Sequence, residues 1–271
     1  MPIGFIEHLT KSIFFEHSKH CYVAIFTAYF DASGKPTSTV LCFGGFVSRP
    51  EKWDKFEREW KDIISQEGVS YFHMTDFASS EDEFKGWRGQ SQRRRIFMDA
   101  LVQCLNRRTN KGFCTSVIAK EYNELNQTYM LHEFIGDAYT FAGASCIGAL
   151  KTWAIKKNVP VGNILVLVEE GDERQGRLIN TIRKEGFKTA TQPKMEAHAF
   201  AGGDLVAWKN RTGLHNAAFG KVETVEDAEN IMRSLDTIRG IVHRNGAYGK
   251  DELTVLCERA KIPKRSTIKL P

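Results

Sequence analysis

The sequence predicts an α/β domain built on a mixed sheet, and three observations carry the prediction. Two runs rich in β-formers, CYVAIFTAYF and STVLCFGGFV, flank a Ser-Gly turn as a hairpin would. A third such run, GFCTSVIA, follows a helical interval. Helical and strand patterns then alternate, which is the layout of an α/β sheet.

The elements follow in order. Gly44-Gly45 inside the second strand marks a bulge or a close backbone approach. In SRPEKWDKFEREWKDIISQEG, Pro50 stands near a helix start, Trp53, Phe56, Trp60, Ile63 and Ile64 recur at helical spacing, and Gly68 stops the helix. SYFHMTDF is short and aromatic, and ASSEDEFKGWRGQ reads as irregular. A helix over 91–108 has an apolar face at Ile96, Phe97, Ala100, Leu101, Cys104 and Leu105. After the third strand, one long helix is expected from about Leu131 to Lys157, rich in small residues that permit close packing. GNILVLVEEGD reads as a strand buried on both faces. ERQGRLINTIRKEG is an amphipathic helix ended by Gly186, FKTATQ a short strand, and HAFAGGDLVAWKNRTG a helix. The reading divides the chain into a domain over residues 1–212, with an insertion over about 50–108, and a helical, basic extension over 213–271. This element order is also that of the RNase H-like fold, an analogy that carries no function by itself.

Bulk properties narrow the function classes. The 271 residues suffice for one large domain or two small ones. No apolar run approaches the roughly 18 residues of a membrane span, and MPIGFIEHLTKSIFFEHSKH is too interrupted by charge for a signal peptide. Six scattered cysteines with no CxxC pair point to a reducing, cytoplasmic setting and speak against structural zinc. A net charge of +5 permits nucleic-acid binding. The basic clusters are Arg93-Arg94-Arg95, Arg107-Arg108, Lys156-Lys157 and the C-terminal tail. Each is read either as a phosphate contact or as a solvated helix face.

The chemistry rests on acids. Asp31 lies just past the predicted end of the first strand, and Glu169, Glu170 and Asp172 lie past the end of the ILVLV strand. If those strands are parallel neighbours, the acids meet at one sheet edge, where open α/β sheets place ligands. Asp204, in FAGGDLVAW, has no cationic residue in helical register. An ionised acid in an apolar helix face requires a partner or a cation. Three converging carboxylates are relieved by a hard divalent cation such as Mg²⁺ or Mn²⁺, which can activate water for phosphodiester cleavage. The structural alternative stands beside this. Asp31 would be a turn residue, Glu169 to Asp172 an acidic helix start, and Asp204 the partner of a core histidine.

Four motifs in order, FDASG, YFHMTDF with a downstream FKGW, VEEGD and GGDLVAW, resemble those of the family called domain of unknown function 3800, usually placed with the RNase H-like superfamily. The resemblance spans roughly residues 22–212 and carries the family's presumed catalytic acids to Asp31, Glu169 and Asp204. Two positions depart from its pattern: Ala32 replaces an acid and Gly203 replaces an alanine. The resemblance also favours His73 as a proton shuttle or phosphate holder beside the metal site.

Weaker candidate ligands are Glu170, Asp172, Asp76 and Glu133, and His198 is a further ring near Asp204 in sequence. Trp87, in its polar GWRG context, is singled out among the tryptophans as a base-stacking candidate. The expectation is therefore a metal-dependent nuclease or phosphodiesterase acting on DNA or RNA, with no membrane association. Its alternatives are a non-catalytic nucleic-acid- or protein-binding module on the same fold, and a hydrolase of small phosphorylated substrates.

Overall fold

The computed structural model describes residues 24–34, 38–171, 174–220 and 242–267. The strands are β1 (Phe26–Ser33), β2 (Val40–Ser48), β3 (Lys111–Ile118), β4 (Ile164–Glu169), β5 (Lys188–Gln192) and β6 (Val242–Tyr248). They form a six-stranded mixed sheet in the order β5-β4-β1-β2-β3-β6. Among the described strands β2 alone runs against its neighbours; β1, β3, β4, β5 and β6 are parallel. No described helix is long and apolar enough to cross a membrane.

The expected insertion comprises α1 (Pro50–Gln66), α2 (Met74–Ser79), a 3-10 turn (Asp82–Trp87) and α3 (Ser91–Arg108). In α1 the residues at helical spacing, Trp53, Phe56, Trp60 and Ile64, are buried. The apolar face of α3 is shifted from the sequence expectation: Ile96 is exposed and Ala100 half-buried, while Arg94, Met98 and Val102 join Phe97, Leu101, Cys104 and Leu105 in the buried face. Arg94 donates to Ser80 Oγ at 2.7 Å and covers the Phe77 ring at 4.4 Å. It is therefore a packing residue of the insertion and not a free phosphate contact.

After β3 come α4 (Ala119–Asn126), α5 (Leu131–Phe134) and α6 (Ala138–Lys156). The single long helix expected from Leu131 is thus broken. Gly136 adopts φ +122°, outside the helical region, and Asp137 caps α6 by accepting from Thr140 N at 2.8 Å. The remaining helices are α7 (Gln175–Lys184), α8 (Ala199–Phe219) and α9 (Lys250–Arg259). The C-terminal extension also contributes a strand, β6, to the edge of the sheet beside β3.

Strand alternation divides the core into two layers. Tyr29, Phe46, Leu165 and Leu167 join the insertion and α8 on one face. Ala28, Phe30, Phe43, Val166 and Val168 join α6 and α7 on the other. The odd-numbered positions of β1 and β4 therefore face α8, and Asp31 and Glu169 belong to that set. Asp31 lies inside β1, paired with Gly44, and not past the strand end as expected. The ladder continues to Ser33, and the chain turns at Gly34 with φ +111°.

Candidate functional site

Parallel pairing of β1 with β4 sets Phe30 beside Val168, so Asp31 and Glu169 follow side by side on one sheet face. Helix α8 crosses that face. It can do so closely because Gly44 and Gly203 lack side chains. A Cβ on Gly44 would stand 2.7 Å from Val206 Cγ1, and one on Gly203 would stand 2.9 Å from the Gly44 carbonyl oxygen. The next residue along α8 is Asp204, which reaches the same place.

The three acids converge on one cation, the ammonium of Lys194. Its Nζ lies 2.6 Å from Asp31 Oδ2, 3.3 Å from Asp204 Oδ2 and 3.9 Å from Glu169 Oε2. Lys194 opens the 3-10 turn Lys194–Glu196, just past the end of β5. Asp31 and Asp204 are buried, and the Lys194 side chain is 14% exposed. Further bonds fix the carboxylates. Ala32 N donates to Asp31 Oδ1 at 2.6 Å, and Met74 N, at the start of α2, donates to Asp204 Oδ2 at 2.7 Å.

The electrostatics follow from this crowding. Burial works against the Lys194 charge, but Asp204, Asp31 and Glu169 outweigh it and hold the ammonium well above the usual lysine range. The arrangement therefore favours Lys194 as its ammonium. Burial pushes the Asp31 carboxyl well above its ordinary value; Lys194 pulls it down, while Glu169 and Asp204 add to the rise. Three carboxylates facing one ammonium leave the cluster short of positive charge. That crowding favours a proton, with Asp31 the acid pushed toward it, or a cation at the site.

His73 is at the rim. Its Nδ1 is 2.9 Å from Asp76 Oδ2, and its Nε2 is 3.8 Å from Asp204 Oδ2. A proton on Nδ1, donated to Asp76, leaves Nε2 as the nitrogen that faces the acids. Asp76 thus acts on the histidine and does not join the three-acid cluster. Tyr71 Oη donates to the Lys194 carbonyl oxygen at 3.3 Å and its ring stacks on His198 at 6.0 Å. The start of α8 is held by Glu57 of α1, whose carboxylate accepts from His198 N at 3.2 Å and Ala199 N at 2.9 Å. Burial, opposed by those two amides, pushes Glu57 up to about 7.

Other candidates fall elsewhere. Glu133 is exposed and pairs with Arg265 at 3.0 Å, tying α5 to the C-terminal segment. Glu170 is exposed beyond the end of β4, and its amide donates to the Gln192 carbonyl at 2.9 Å. Asp172 lies outside the described residues. Trp87 is not a stacking platform. It is buried against Phe77, Phe84 and Phe97, with Arg93 over its ring at 3.9 Å. Arg107 and Arg108 are both paired with Glu59, the latter at 2.7 Å.

Sequence reasoning missed Lys194, Gln192 and Glu57. The rule that located Glu169 would have found Lys194 as well, because it lies past the end of a strand parallel to β4 at the same sheet edge. Gln192 pairs with Glu169 across β4 and β5, so both point to one face. Its side chain is buried, and its Oε1 has no hydrogen-bond partner among the described residues.

Among the described residues, no group of three or more His, Cys, Asp or Glu side chains stands ready-formed to hold a metal ion. The donor chemistry nevertheless suits a hard divalent cation: carboxylate oxygens from β1, β4 and α8 already surround a positive charge, with an unpartnered amide oxygen next to Glu169. No protein-family model matches the chain, and no curated protein matches it.

Proposed function

We propose that this chain is a divalent-metal-dependent phosphodiesterase acting on nucleic acid, built on an RNase H-like fold and belonging to domain of unknown function 3800. The observation that carries the reading is the convergence of Asp31, Glu169 and Asp204 on one cation position, marked by Lys194 Nζ. The element order on which the RNase H-like reading rests is the order found in the chain, and it supports that reading. The five described cysteines are buried and none of them is in a disulfide, in keeping with a reducing, cytoplasmic setting; Cys21 lies outside the described residues.

In this reading Asp31, Glu169 and Asp204 hold Mg²⁺ or Mn²⁺. Such an ion, when bound, neutralises phosphate charge and makes a nucleophile available near neutral pH. The chain supplies the rest. Met74 N orients Asp204, Ala32 N orients Asp31, and His73, steadied by Asp76, holds or moves a proton at Nε2.

The test is cleavage of labelled single- and double-stranded DNA and RNA by purified protein with Mn²⁺. Asp204→Asn keeps an oxygen that can accept from Met74 N but removes the charge. It should reduce cleavage at least 100-fold, about 3 kcal/mol of barrier. Full activity in that variant would refute the assignment.

A second reading is a non-catalytic nucleic-acid- or protein-binding module. Lys194, which already supplies a cation among the acids, and Ala32, in place of an acid, favour it. It expects salt-dependent binding without turnover, so metal-dependent cleavage excludes it. A small phosphorylated substrate would show as activity on phosphodiester dyes and none on polymers.

A further inference from the structure

Lys194 is the unexpected member of the site, and its position decides how a metal can enter. We propose that Lys194 is a built-in counter-ion that competes with the divalent cation, so that loading the site expels its ammonium from among Asp31, Glu169 and Asp204. The inference rests on the metal-site reading above and adds the order of events at that site.

The geometry leaves little choice. Nζ donates to Asp31 Oδ2 at 2.6 Å and stands 3.3 Å from Asp204 Oδ2, so the ammonium lies between the two oxygens that the ion would need. A divalent ion binds carboxylate oxygens at roughly 2.0–2.6 Å. It cannot share that space with an ammonium already in contact with both carboxylates, and the two positive charges repel. The side chain can leave without moving the sheet. Lys194 is carried on a three-residue turn next to Met195, which is 68% exposed, and a lysine stem withdraws its charge through rotamer changes. The arrangement also explains how the buried Asp31 and Asp204 and the half-buried Glu169 coexist before metal arrives: the chain supplies the first cation itself.

Two measurements test this on the full chain. Mn²⁺ is titrated by calorimetry into wild type, Lys194→Met and Asp31→Asn, each checked for folding by circular dichroism. Competition predicts Mn²⁺ affinity on the order of tenfold or more higher in Lys194→Met, and weaker in Asp31→Asn. Separately, amine acetylation of the wild type is mapped by mass spectrometry. Lys194 should be protected without metal and modified on the order of tenfold faster at saturating Mn²⁺, a readout that survives even if Lys194→Met fails to fold. Unchanged or weaker affinity in folded Lys194→Met, with Asp31→Asn still impaired, overturns the competition and leaves the metal site standing. Unchanged protection of Lys194 in metal-saturated wild type overturns it equally. Absence of Mn²⁺ binding in all three proteins, with or without a short oligonucleotide, removes the metal site and the inference with it.

Discussion

Gly203 lies against Asp31: a methyl group at Gly203 would stand 3.1 Å from Asp31 Cβ and 3.1 Å from its amide nitrogen, with the Gly44 carbonyl oxygen at 2.9 Å. This contact sets the distance between α8 and the β1–β2 pair, and through it the position of Asp204.

Gly203→Ala is therefore expected to destabilise. Alanine gains up to about 1 kcal/mol of helix propensity. Overpacking against backbone atoms that cannot rotate away costs about 1–3 kcal/mol. The net expectation is a loss of about 1–2 kcal/mol in urea denaturation, together with weaker Mn²⁺ binding as Asp204 moves off Asp31. Unchanged stability would mean that α8 can shift freely on the sheet.

Much of this was legible before the structure. The ILVLV run announced a buried strand, and its parallel pairing with β1 brought Asp31 beside Glu169 as the edge argument required. Gly44-Gly45 announced a close approach, and Gly44 is where α8 meets the sheet. What stayed hidden depended on long-range partners. Arg94 reads as a surface charge because nothing local reveals Ser80 or the Phe77 ring. Trp87 sits in a polar stretch, yet its ring meets three phenylalanines brought from other parts of the insertion. Lys194 escaped because the search sought acids and histidines, while the charge balance of three carboxylates required a cation.

That balance yields an asymmetric prediction. Lys194→Met leaves three carboxylates without their ammonium, whereas Asp31→Asn leaves Lys194 with Asp204 and Glu169. Removing a cation that pairs with buried acids costs about 3–5 kcal/mol. Asp31→Asn should cost clearly less, because it also removes repulsion among the acids. Burial already raises the Asp31 carboxyl, and losing Lys194 removes the opposing influence. A raised carboxyl contributes stability at low pH and loses it as pH rises through the folded value. The Lys194→Met defect should thus be smaller at pH 5 than at pH 8. Equal defects in the two variants, or a defect that grows on acidification, would contradict this account.

Glu57 gives a second pH dependence. Its folded value of about 7 lies above the ordinary glutamate value of 4.5, chiefly through burial. Protonated Glu57 therefore favours the folded state: the contribution is complete below about pH 4.5 and is lost as pH rises to 7 and beyond. Glu57→Gln cannot ionise and still offers an oxygen to the α8 amides. The stability of wild type relative to Glu57→Gln should fall between those limits by an amount on the order of 3 kcal/mol or less. Denaturant titrations of both proteins from pH 4 to pH 8 measure this directly; parallel curves would place the Glu57 carboxylate in solvent.

The pairing of His73 with Asp76 predicts how activity responds to substitution of either residue. Asp76 bonds Nδ1 at 2.9 Å and so selects the tautomer that turns Nε2 toward Asp204. If His73 handles a proton in phosphodiester cleavage, His73→Gln should reduce kcat by about 10²-fold or more. Asp76→Asn keeps the ring but weakens its orientation, with an expected loss of about 10-fold or more, as for partners that orient a functional histidine. The double variant should be little worse than His73→Gln alone, since Asp76 acts through the ring. Additive losses would instead assign Asp76 a separate role, such as direct contact with the metal or the substrate. An unchanged kcat in His73→Gln would remove the histidine from the proposed catalytic apparatus.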